Sequence, residues 1–103
     1  MNIIKSGKCN NSPKNAFVED FTIRILTSCG QGSEAISIHW YGESFQRQPD
    51  TIQVIDAISH GKIGAANGMV SVGDTEYGFA AFVEFKTTKA TEVSDIKLYI
   101  VEV

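Results

Sequence analysis

Asp56, Tyr77 and Asn67 are the side chains of this sequence whose types could act together on a substrate. A carboxylate in an apolar setting has its pKa pushed towards neutrality and can serve as a general base. A phenol or a primary amide can polarise the group under attack by hydrogen bonding. Asp56 belongs to Thr-Ile-Gln-Val-Ile-Asp-Ala-Ile-Ser, residues 51–59, which begins in alternation and slips phase at Val54-Ile55. The slip predicts a β-bulge. A bulge that turned Asp56 inward would make it the base, with Tyr77 or Asn67 as polariser; otherwise an Asp near a strand end is solvated. Trp40 and Tyr99 are aromatic, so they either pack or wall an apolar ligand. Asn67 either donates to a ligand or satisfies an irregular backbone.

The remaining reactive residue types converge less well. His39 sits between Ile38 and Trp40, so alternation places it on the opposite face, and His60 falls at a turn. Cys9 and Cys29, twenty positions apart, and two separate histidines make no zinc pattern. No metal and no cofactor is expected. Residues 60–70, His-Gly-Lys-Ile-Gly-Ala-Ala-Asn-Gly-Met-Val, hold three glycines beside a lysine. A phosphate cradle needs such glycines to lead straight into a helix N-terminus, and here a strand-like Met69-Val70-Ser71-Val72 follows. A hairpin turning at Asn67-Gly68 is a second possibility. The favoured reading is a strand whose small residues let the sheet bend sharply.

These residues need elements to position them. Ser12-Pro13 reads as an N-cap and first helical residue. From Lys14 to about Thr27, Phe17, Phe21 and Ile25 form one apolar stripe with Val18 and Leu26 beside it, and Cys29-Gly30-Gln31-Gly32 supplies the stop. After Gly32 the period falls from about 3.6 to 2. Strands are predicted over residues 34–41, 51–59, 63–72, 75–86 and 93–103, with turns at His60-Gly61-Lys62, Gly73-Asp74 and Thr87 to Thr91. Residues 1–11 read as a tail or lead-in. Short turns imply antiparallel neighbours. The expected fold is α+β: one N-terminal helix packed in a strongly curved antiparallel sheet, a single domain over residues 1–103. On the long strand, Tyr77, Phe79, Ala81, Val83 and Phe85 form the packed face. Gly78, Ala80 and Phe82 form an outer face too apolar to stay bare.

Composition narrows the partners. A net charge of −3 with no clustered basic stripe argues against nucleic acid. No apolar run approaches the ~18 residues of a membrane helix, and the first residues lack a signal-like hydrophobic region, so a cytoplasmic location is expected.

Several strings resemble members of the nuclear transport factor 2-like, or SnoaL-like, superfamily. They are Asn11-Ser12-Pro13-Lys14-Asn15-Ala16-Phe17 with Asp20-Phe21, Ile58-Ser59-His60-Gly61-Lys62, Gly64-Ala65-Ala66-Asn67-Gly68, Tyr77 to Phe85, and Leu98-Tyr99-Ile100-Val101-Glu102-Val103. The resemblance spans residues 11–27 and 51–103, and departs from the family between Ile25 and Asp50. It implies a cone-like, cystatin-like roll of bacterial type, often dimeric, with an apolar pocket. Family activities include ketosteroid isomerases, cyclases, dehydratases and epoxide hydrolases. The isomerase acid aligns with Ala81, so that oxyanion pair is missing. What remains is binding of a small hydrophobic molecule, with Trp40, Asn67, Tyr77 and Tyr99 as candidate contacts. An enzyme based on Asp56, or a non-catalytic interaction module, is the alternative. The outer face, through Ala80 and Phe82, is the expected homodimer surface.

Overall fold

The structure, a computed structural model, describes residues 1–8, 12–28, 36–45, 47–88 and 91–103. The helix α1 runs Pro13–Leu26. Ser12 caps it in extended conformation, its Oγ accepting from the Asn15 N–H at 3.3 Å, and Pro13 follows where no N–H is needed. Thr27 closes the C-terminus by donating its N–H to the Ile23 carbonyl at 3.0 Å. The expected stop at 29–32 and both cysteines lie outside the described residues.

Six strands follow the expected order with one addition: β1 Asn2–Ile4, β2 Ser37–Gly42, β3 Thr51–His60, β4 Ile63–Val72, β5 Thr75–Phe85 and β6 Val93–Glu102. They form one sheet in the order β1-β3-β4-β5-β6-β2. The run β3-β4-β5-β6 is an antiparallel meander, as the short turns predict. Gly61 and Gly73 take φ of 59° and 61° in the two tight turns, a region open to glycine without strain.

The all-antiparallel expectation is wrong at both edges, and the sheet is mixed. β1 pairs parallel with β3, and β2 pairs parallel with β6. Neither edge strand is joined to its neighbour by a short turn, so turn length says nothing about its direction. Residues 1–11 are likewise not all lead-in. Asn2 to Ile4 align with Thr51 to Gln53, and the Asn2 N–H donates to the Asp50 carbonyl at 2.8 Å. The chain then crosses to the helix, where the Ser6 N–H donates to Glu19 at 2.8 Å and Lys5 pairs with Asp20 at 2.6 Å.

Glu19, which that segment contacts, is buried along with Thr22, Ile23 and the expected Val18, Phe21, Ile25 and Leu26. The helix lies against β3 and β4. Its apolar side meets Ile52, Val54, Val70, Phe79, Ala81, Val83, Phe85, Ile96, Leu98 and Ile100 in one buried cluster. Lys14 ties its first turn to the strand ends, donating to the carbonyls of Gly61 at 2.6 Å and Thr88 at 2.8 Å. The Thr22 hydroxyl is fully buried and, among the described residues, has no hydrogen-bond partner.

The glycine-rich stretch is a strand throughout, with neither a cradle nor a turn at Asn67-Gly68. A Cβ on Gly64 would lie 2.5 Å from the Val18 side chain, and one on Gly68 would run into the Gln53 carbonyl. Close approach is the reason for both glycines. The bulge also stands where the phase slip predicts it: Val54 pairs Gly68, Asp56 pairs Asn67, and Ile55 is the extra residue.

Candidate functional site

The bulge decides which side of the sheet carries the polar candidates. Ile52 and Val54 point into the core. Unbroken alternation would send Asp56 and Ile58 after them. Inserting Ile55 reverses the phase, so that Ala57 becomes the buried residue while Asp56 and Ile58 are exposed. Of the two alternatives for Asp56, the solvated one holds, and the inward turn that a general base needs does not occur. Physically, the extra residue spares the sheet an unpaired carboxylate in its core.

Asp56 emerges on the helix-free face of the sheet. Its side chain is 52% exposed and pairs with the Lys8 ammonium at 3.0 Å. Its backbone N–H donates to the Asn67 side-chain oxygen at 3.0 Å, which satisfies a donor that the bulge removes from the ladder. Of the two roles open to Asn67 in the sequence, the structural one is occupied.

Between these residues and Phe82 lies a groove of about 390 Å³ lined by Asp56, Ile58, Ala65, Ala66, Asn67, Ala80, Ala81 and Phe82. Register builds it: Ile58 stands opposite Ala65, Ala65 opposite Phe82, and Asn67 opposite Ala80. Ala65 and Ala80 make a low floor between two tall walls, Ile58 at 63% exposure and Phe82 at 48%, while Ala66 and Ala81 turn their side chains into the core. Asp56 carries the one formal charge of the lining. A smaller recess of about 200 Å³ lies between Gln53, Met69 and Glu76 near the other end of the meander.

Beyond Phe82 the same face carries an aromatic row. Tyr99 meets Phe82 edge-on with centroids 6.0 Å apart, and stacks on Tyr41 at 4.9 Å. His39 ends the row, with its Nε2 2.8 Å from Asp95 Oδ1. His39 is thus exposed and opposite Trp40, as alternation predicts.

Trp40 and Tyr77 are elsewhere. Both pack against the core on the helix-covered side, where Phe45 sits between them. Its ring lies 6.0 Å from Trp40 and 5.3 Å from Tyr77, each edge-on, and it is 4% exposed. Of the four candidate contacts, Asn67 and Tyr99 share the helix-free face and Trp40 and Tyr77 share the other. Asp56 and Tyr77 cannot reach one substrate, so the proposed base and phenol do not form a site. Phe45 left no mark in the sequence because it comes from a connection without periodicity. Lys8 and Tyr41 were missed because their roles depend on long-range pairing. Among the described residues no three of His, Cys, Asp and Glu gather as a metal site, and no helix is long and apolar enough to cross a membrane.

No protein-family profile, curated protein or solved structure matches the chain. Function is therefore read from the geometry.

Proposed function

We propose that this protein binds a small apolar molecule, without a catalytic step, in the groove on the helix-free face of its sheet. The observation that carries the reading is the alanine floor between Ile58 and Phe82. Its volume of about 390 Å³ lies within the roughly 300–1,000 Å³ usual for ligand sites. An isomerase, cyclase or hydrolase reading loses support, because Asp56 is exposed and ion-paired on the face opposite Tyr77. A cone-like roll of the nuclear transport factor 2-like superfamily, acting in the cytoplasm, remains the kinship we attach to this function on the strings quoted above.

Titration calorimetry with a panel of neutral ring compounds tests the proposal. Wild type should bind members of the panel, and Ala80→Leu, which fills the floor, should weaken binding at least tenfold. If wild type binds none of them, the reading falls.

One observation favours a second reading. Ile58, Phe82, Tyr99, Tyr41 and Val101 are each more than 40% exposed and belong to strands of the same sheet. Large apolar patches commonly mark partner surfaces. A homodimer through Ala80 and Phe82 would cover them, with a self-complementary contact. Sedimentation velocity separates the two readings, since a dimer that Phe82→Arg dissociates would place a second copy on this face.

A further inference from the structure

The groove has a chemical polarity that narrows its ligand, and this narrowing rests on the binding function proposed above. We infer that the groove selects a small amine: an apolar ring or chain bearing one protonated primary ammonium. Its walls and floor, Ile58, Ala65, Ala80 and Phe82, suit the apolar body. Asp56 is its one charged lining residue, and it is negative.

The position that the cation would take is already marked within the chain. Lys8, itself an alkyl ammonium, places its Nζ 3.0 Å from Asp56 Oδ1. The two side chains are 67% and 52% exposed, so the pair is solvated and contributes little to folding. An incoming ammonium would exchange for Lys8 at small cost and gain the apolar groove besides. Asn67 is kept beside the carboxylate by the bond its oxygen accepts from the Asp56 N–H. That bond leaves its amide nitrogen as a donor, which an ammonium does not need, so the carboxylate alone sets the preference. Lys97, opposite Phe82 on β6, does not line the groove.

The test compares three probes with one ring and different heads: 2-phenylethylamine, 2-phenylethanol and 3-phenylpropionate, titrated at pH 7 and low salt. The amine should bind about threefold more tightly than the alcohol, the scale of an exposed charge pair, and the acid should bind most weakly. Asp56→Asn should erase the difference between amine and alcohol. Lys8→Ala should tighten the amine about twofold by removing its competitor while leaving the alcohol unchanged. Raising the salt to 0.5 M should shrink the preference by screening. Equal binding of amine and alcohol by wild type would overturn the inference and leave the groove itself standing. So would a preference that survives Asp56→Asn. Failure of all three probes would remove the groove reading as well.

Discussion

The two faces of this sheet share every strand, yet one is a core and the other is a surface that carries large apolar residues among charged ones such as Asp56, Glu84 and Lys97. On the covered face the large residues are buried to within a few per cent, from Ile52 at 0% to Phe45 at 4%. On the bare face Ile58, Phe82 and Val101 are 63%, 48% and 67% exposed. Alternation alone would predict polar residues there, since one wet face is the usual state of an antiparallel sheet. Strand β5 shows the departure most clearly. Phe79, Ala81 and Val83 are buried, while the intervening Ala80 and Phe82 are apolar too. Stability asks for the first set. The occupant proposed above would account for the second.

That contrast can be broken by substitution. The largest effect should come from Phe45→Ala on the covered face, which leaves a void against Trp40 and Tyr77. Denaturant unfolding should show a loss of about 3–5 kcal/mol. Ser12→Ala should lower stability by about 1 kcal/mol through the lost N-cap. Thr22→Val should act in the opposite direction. Its hydroxyl is buried without a partner among the described residues, so an apolar group of the same shape should raise stability by about 1 kcal/mol. On the bare face Phe82→Ser should change the unfolding midpoint little, within about 0.5 kcal/mol, while ligand binding or self-association is lost. A large destabilisation there would mean that Phe82 belongs to the core and that the two faces do not differ in purpose.

The smallest effect concerns the N-terminal segment that wraps the covered side. The hydrogen bond from Lys5 to Asp20, and then the charge of that carboxylate, raise the Lys5 pKa above 10.5. A raised folded-state value means that the pair's contribution is complete below 10.5 and fades as pH climbs through the folded value. Lys5→Met should therefore lower the melting temperature slightly at pH 8 and not at all at the highest pH the fold tolerates. Lys5 is 55% exposed, so the difference should be near the limit of a careful thermal scan.

Much of this architecture is legible in residue order. Ser12-Pro13 and the four-residue spacing of Phe17, Phe21 and Ile25 define the helix. Alternation and the glycine turns define the meander, and the slip at Val54-Ile55 marks the bulge. The bulge's consequence was legible as well. Counting inward residues from Ile52 and Val54, one inserted residue must carry Asp56 to the opposite face. What could not be read are pairings that no local pattern encodes. β1 and β2 gain their directions from connections that cross the fold, and Phe45 is buried because a loop happens to deliver it. The candidate site was half visible for the same reason. Asn67, Tyr99, Ala80 and Phe82 fall on one face by parity and Trp40 and Tyr77 on the other, whereas the Phe45 ring that joins the latter two comes from a loop.

Backbone amide shift mapping during titration with a neutral apolar molecule such as 2-phenylethanol tests the central claim most directly. The account predicts perturbations centred on Asp56, Ile58, Ala65, Asn67, Ala80 and Phe82, with Phe45, Trp40 and Tyr77 undisturbed. Shifts centred instead on Phe45, Trp40 and Tyr77 would place the ligand under the helix-covered side and contradict it.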